Sequence, residues 1–367
     1  MGYTNYIDPK KINKILIIKY RHLGDVLLAT PVFHYLKKSI SNAKIDALVF
    51  EEAKAILNNN PDIDEVLTYD RKIKKKNFLL RIYYEIKLIW RIRNRRYDLI
   101  INLTEGDRGA IIALFSKAKY KVGYAPNNKG IFKKEKIFTH LVKTPASKRH
   151  AVEKNLDAIR ILGFFPKIEE RRVVFQINQN QVESAKKLLK ENNIKENEYI
   201  LIHPNTRWRF KLWDKFDQLT KSLEKMGNKV VFVSSNDQIE LDYVNSIIKD
   251  TKAINLSGKT TIEQLAFLIK SSELFISVDS FSYNLANVFK ANNIVLFGPS
   301  CDLTWGPWQN ENCQIIKKDI SCRPCNIDGC GGSKKSECLS EISVEDVLKV
   351  ISSKLTLRKK ILSEVIQ

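Results

Sequence analysis

The chain predicts an α/β protein made of two Rossmann-like domains, and three observations carry that expectation. Short apolar strands alternate with helices along the first half, and the same alternation restarts after residue 176. The 367 residues are enough for two cores, each of roughly 150 residues or more.

In the first half, Lys14-Ile-Leu-Ile-Ile-Lys19 reads as a buried strand that breaks at Arg21-His-Leu-Gly-Asp25 and restarts as a helix. Gly24 lets the backbone turn closely and Asp25 stands at the helix start, either as its N-cap or as a chemical group. Further strands are expected at 45–50, 65–69, 98–103 and 121–124, with helices at 78–95 and 150–162. On the helix over 78–95, Leu79, Ile82, Tyr83, Ile86, Ile89 and Trp90 recur at helical spacing. They read as a core-facing stripe, with binding to a membrane interface as the alternative. Gly163-Phe-Phe-Pro166 closes the next helix, and a charged stretch leads to the expected domain boundary, giving domains 1–176 and 177–367. The second domain repeats the pattern with helices at 181–192, 212–226, 238–249, 261–271 and 282–289. Its strands fall at 199–203, 229–234, 253–256, 274–278 and 293–297, which predicts a second parallel sheet. Two such domains in one chain are expected to face across a cleft.

Composition narrows the partners. No run of about 18 apolar residues occurs, so no spanning segment is expected, and the stretch before Lys14 is too polar for a secretory core. A cytoplasmic protein is therefore expected. The net charge of +21 is uneven: residues 1–176 hold 36 Lys and Arg against 18 Asp and Glu, and the remainder 26 against 23. Basic runs lie at Arg71 to Lys76 and Arg91 to Arg96. Such a field attracts a polyanion: nucleic acid, a phosphorylated glycan or an anionic membrane surface. The chain shows no nucleic-acid module and no basic stripe interleaved with aromatics, so no nucleic-acid partner is expected.

Three loops of the second half follow strands and carry chemistry-bearing groups. In His203 to Trp213, the Thr206 hydroxyl and Lys211 ammonium suit phosphate oxygens. Asp279-Ser280-Phe-Ser282 opens a helix, so its amides suit a pyrophosphate unless the motif is only a cap. The middle loop, Ser234 to Glu240, is a weaker candidate. Neither G-x-G-x-x-G after the first strand nor G-x-x-x-x-G-K-[ST] occurs, which removes most support for a hydride-transfer enzyme or a P-loop kinase.

Arg21-His-Leu-Gly-Asp-Val-Leu-Leu-Ala-Thr-Pro31, Phe210-Lys-Leu-Trp213 and Val278-Asp-Ser280 resemble the ADP-heptose:lipopolysaccharide heptosyltransferases, with the branch adding the third, side-branch heptose as the nearest match. Asn102 to Arg108 and His150 to Asn155 also match, and the resemblance runs from about residue 14 to 350. It implies a GT-B fold, an acceptor-binding first half, a nucleotide-sugar-binding second half and an inverting reaction with no cofactor. By position it makes Asp25 the general base and Lys211 the group that neutralises the departing diphosphate. Asp279 and Ser280 then lie against the nucleotide, Asp279 orienting amides, a lysine or the sugar. Thr206, Glu240 and Asn284 complete the donor set, and Arg21, Gly24, Arg108 and His150 are the candidates for the acceptor. The family often has His where this chain has Asn284, which donates a hydrogen bond but carries no charge. A related enzyme using another nucleotide sugar or acceptor is thus the alternative. The implied partners are ADP-heptose, inner-core lipopolysaccharide and the anionic inner-membrane surface, to which the protein would bind peripherally.

Cys322, Cys325, Cys330 and Cys338 form C-x2-C-x4-C-x7-C in a Gly-rich loop. On spacing alone, four clustered thiolates suggest structural zinc, with an iron-sulfur centre or reduced thiols packing a loop as alternatives.

Overall fold

The apolar run at the start of the chain forms strand β1 (Lys14–Lys19), in which Ile15, Leu16, Ile17 and Ile18 expose no surface. A strand buried on both faces belongs in the middle of a parallel sheet covered by helices. The computed structural model describes residues 6–125, 136–143 and 147–366, which divide into units of residues 1–175 and 176–367.

The first unit adds β2 (Lys44–Phe50), β3 (Glu65–Tyr69), β4 (Leu99–Asn102), β5 (Tyr120–Tyr124) and β6 (His140–Val142). Its helices are α1 (Leu23–Leu27), α2 (Thr30–Ser39), α3 (Phe78–Arg95), α4 (Asp107–Phe115) and α5 (Ala151–Arg160). All strands run parallel in the order β3-β2-β1-β4-β5-β6. The chain steps from β1 outward to β3, then returns to β4 on the opposite side of β1. The gap between the ends of β1 and β4 is thus a topological switch point, where open α/β sheets leave a crevice for ligands.

The second unit has β7 (Ile200–His203), β8 (Val230–Phe232), β9 (Ile254–Asn255), β10 (Leu274–Val278), β11 (Asn293–Leu296) and β12 (Cys313–Ile316). Helices α6 (Gln179–Glu191), α7 (Phe216–Lys225), α8 (Gln238–Ile248), α9 (Ile262–Lys270), α10 (Phe281–Val288), α11 (Asp302–Trp305), α12 (Glu337–Ser340) and α13 (Val344–Ile366) accompany them. The sheet is again parallel, in the order β12-β11-β10-β7-β8-β9. This is the same topology as the first, with its switch point between β7 and β10. Trp213, with no exposed surface, packs against Phe216 and donates from Nε1 to the Ile342 carbonyl at 3.0 Å. It anchors the loop after β7 to the segment leading into α13.

The structure differs from expectation in three places. The helix after Asp25 is two helices, because α1 ends at Leu27 and α2 restarts at Thr30 with Pro31 in its first turn; there the missing N–H of proline costs nothing. Short edge strands β6 and β12, and helix α4, have no counterpart in the sequence reading. The α3 stripe does not face the core. Only Leu88 and Ile92 of that helix are buried, while Leu79, Ile82, Tyr83, Ile86 and Trp90 are exposed. Helical periodicity shows that a face is apolar, not which neighbour covers it.

One glycine is fixed by crowding. A Cβ on Gly109 would stand 2.2 Å from Asn102 Oδ1, so the start of α4 reaches the end of β4 only without a side chain at this position.

Candidate functional site

At the first switch point, β1 ends in Lys19 and the chain turns through Tyr20 and Arg21 into α1. The N-cap of α1 is His22, so Asp25 lies in the first turn and is not the cap. Its carboxylate is half-buried and, among the described residues, accepts no side-chain or backbone hydrogen bond. A carboxylate left in this state keeps its lone pairs for a ligand proton. Gly24 has ordinary helical backbone inside α1, so a left-handed turn is not what this position requires. Arg21 is exposed.

The group that sequence reasoning missed is Lys19. Its side chain is buried, and its ammonium donates to the Leu103 carbonyl at 3.1 Å and to Asn155 Oδ1 at 2.9 Å. Asn155 in turn donates to the Leu28 carbonyl at 2.9 Å. One lysine thus ties together the ends of β1 and β4, helix α5 and the end of α1, the helix that carries Asp25. Beside it, Tyr20 N donates to Thr104 Oγ1 at 2.9 Å, and Thr104 N to Asn102 Oδ1 at 3.1 Å. These contacts give the Asn102 to Arg108 and His150 to Asn155 segments a positioning role. The available signal was a lysine closing the apolar run Ile15 to Ile18.

Burial lowers the Lys19 pKa to about 8; Asp25 opposes this, Arg21 adds to it and Glu105 opposes it. The ordinary lysine value is about 10.4. Between those two pH values the unfolded chain holds a proton that the native one has released, so the stability penalty of burying this ammonium shrinks as pH rises through that window. Below about pH 8 both states are charged and the penalty is full. Function should respond oppositely, because deprotonation removes the positive charge beside Asp25. Activity at this site is expected to decline as pH rises through about 8, and a pH–rate profile of Lys19→Met should lack that limb. A limb unchanged in the variant would exclude Lys19 as its source.

Arg108 and His150 are held within the first unit. Arg108 stacks over the Tyr69 ring at 3.9 Å and donates to Glu85 Oε1 at 2.6 Å and Tyr69 Oη at 3.0 Å. His150 is the N-cap of α5, its Nδ1 accepting from Val152 N at 3.2 Å.

In the second unit the candidate loops follow β7, β8 and β10, which are neighbours in the sheet, so their ends lie side by side. Across the switch point, Lys211, at the end of a 3-10 turn (Arg209–Lys211), places Nζ 2.6 Å from Asp279 Oδ2. Asp279 follows β10 directly and is buried. Ser280 precedes α10 without a side-chain capping bond, which leaves the first-turn amides of α10 as anion donors. Ser280 Oγ instead meets Ser282 Oγ at 2.9 Å, and Asn284 Nδ2 donates to the Ser280 carbonyl at 3.2 Å. Half-buried Thr206 follows Asn205, whose Nδ2 donates to the Glu240 carbonyl at 3.2 Å. The Glu240 carboxylate accepts from Ser235 N and Oγ at 3.1 and 2.8 Å, shaping the middle loop. A lysine beside a helix N-terminus offers both a positive charge and amide donors of the kind that suit phosphate oxygens.

In the cysteine loop, Cys322, Cys325 and Cys330 are exposed and Cys338 is buried. Burial raises the Cys338 thiol to about 11, Arg323 opposing and the other three thiols adding to the rise. Among the described residues no three Cys, His, Asp or Glu groups are arranged to hold a metal ion. The zinc reading of this loop gains no support from the geometry.

The comparisons follow the same lines. The profile of Glycosyltransferase family 9 (heptosyltransferase) matches residues 86–335. The chain is 31% identical over 340 residues to lipopolysaccharide heptosyltransferase 3 of Escherichia coli, covering 91% of this chain and 97% of that protein. Among solved structures it is similar to a family 9 glycosyl transferase from Veillonella parvula DSM 2008, with TM-score 0.78, 22% identity and coverage of 94% and 97%. It is also similar to E. coli ADP-heptose lps heptosyltransferase II, with TM-score 0.73, 18% identity and coverage of 94% and 99%. With two parallel α/β units, and with a family match over most of its length, this chain belongs to glycosyltransferase family 9, the heptosyltransferases.

Proposed function

We propose that the protein transfers heptose from ADP-heptose to the inner core of lipopolysaccharide, with inversion at the anomeric carbon and Asp25 as general base. The observation that carries the chemistry is the Asp25 carboxylate, half-buried at a switch point and bonded to no other described residue. In this reading it takes the proton of an acceptor hydroxyl as that oxygen attacks the anomeric carbon. The bond to ADP breaks from the opposite face, and the diphosphate leaves with its charge matched by Lys211 and the α10 amides. Residues 1–176 hold the acceptor and residues 177–367 the nucleotide sugar. The choice of sugar and acceptor rests on what the E. coli relatives are named for. An acceptor rich in phosphate and carboxylate fits the excess of basic residues in the first half. Such an acceptor also calls for work at the cytoplasmic face of the inner membrane, as a peripheral protein.

The test is transfer by the purified protein from ADP-heptose to a heptose-bearing core acceptor, against a panel of other nucleotide sugars. Product from ADP-heptose alone is expected. ADP binding without product from ADP-heptose would move the reading to another sugar or acceptor, for which Asn284 in place of a histidine is the residue to examine first.

A further inference from the structure

We infer that the outer face of α3, with the basic segment preceding it, is a docking surface for an anionic lipid bilayer. Leu79, Ile82, Tyr83, Ile86 and Trp90 stand at i, i+3, i+4, i+7 and i+11, which places them on one side of a helix turning through 100° per residue. Leu88 and Ile92, which face the core, lie on the opposite side. Exposure of the outer stripe reaches 76% at Leu79 and 65% at Trp90. An apolar stripe this long costs free energy in water and marks an interaction surface. Phe115, exposed at the end of α4, is tied to the same helix, its carbonyl accepting from Arg93 Nη1 of α3 at 2.9 Å.

Charge identifies the occupant. From residue 71 to 96 the chain has eleven Lys and Arg and a single acidic residue, Glu85. That acid is already committed to Arg108 and the Tyr69 hydroxyl. Lys72, Lys74, Lys75 and Lys76 are exposed just ahead of the helix and Lys87 borders the stripe, whereas Arg71, Arg91 and Arg95 pair with Glu52, Glu65 and Asp46. Aromatic and aliphatic side chains on one helix face, rimmed by lysine, match the interface of an anionic leaflet: rings and methyl groups enter at headgroup depth while ammonium groups meet lipid phosphates. Tyr83 and Trp90 have the amphipathic rings that sit at that depth.

The inference deepens the proposed function, since an acceptor embedded in a membrane is reached from its surface, yet the two are separable by experiment. The full chain is mixed with vesicles of phosphatidylethanolamine and phosphatidylglycerol, or of phosphatidylcholine alone, and partition is read by co-sedimentation and by tryptophan emission. Binding to the anionic vesicles, weakened by salt, is expected. Leu79→Ser with Trp90→Ser should abolish it, and each of Lys74→Gln and Lys75→Gln should weaken it about fivefold. These exposed changes should leave ADP affinity and transfer to a soluble core acceptor unchanged. Failure of wild type to bind either vesicle, equal binding by the serine variant, or self-association that covers the stripe would overturn the docking surface. None of those outcomes touches transfer in solution, which tests the proposed function by itself.

Discussion

Replacing Asp25 with alanine is expected to lower the turnover of transfer by about a hundredfold to ten-thousandfold, the range ascribed to a general base, while ADP affinity stays unchanged. The division follows from position. Asp25 lies after β1 in the first unit, whereas Lys211, Asp279 and the α10 amides belong to the second. Asp25→Asn serves as the control for shape, since it preserves the volume and loses the basicity. Turnover and ADP dissociation constants, measured on the same preparations, decide the matter. If the asparagine variant transferred sugar at the native rate, Asp25 would be a positioning group and the base would have to be sought elsewhere.

Lys211→Ala is expected to weaken ADP binding by roughly tenfold to a hundredfold, the worth of a hydrogen bond to a charged group, and to slow transfer as well. Both are what the proposed function requires of one ammonium matched to a diphosphate in the bound and departing states. The substitution also strands the buried Asp279 carboxylate, now 2.6 Å from that ammonium. Thermal stability should therefore fall with affinity, by about 1 to 3 kcal/mol. The double variant Lys211→Ala with Asp279→Asn separates the two effects. It should regain stability, because no unpaired charge remains buried, without regaining ADP affinity. Recovery of affinity along with stability would mean that Lys211 acts only by holding the fold.

The sequence made the alternating architecture legible because each central strand is built on a short apolar run, as Ile15 to Ile18 of β1 is. It did not make legible the contacts that join distant segments. Lys19 and Asn155 are 136 positions apart and Lys211 and Asp279 are 68 apart, and no local pattern reports that two polar side chains meet. The individual members, Asp25, Lys211 and Asp279, stood out through the strand-to-loop transitions and the family resemblance. The α3 stripe failed in a different way: its spacing was legible, but which side of the helix packs depends on Leu88 and Ile92 entering the core beneath it. β6 and β12 were missed because three or four residues at a sheet edge give periodicity too little length to register.

Both units set chemistry-bearing loops after their first and fourth strands in chain order, the pair that flanks each switch point. Of the outer strands, β9 is followed by none of the groups named above, so its loop forms a reserve of variation. Insertions there can remodel that edge of the second unit without shifting the ammonium after β7 or the carboxylate after β10. A scaffold arranged like this lets one sheet edge diverge among descendants while the loops at the switch point are inherited intact.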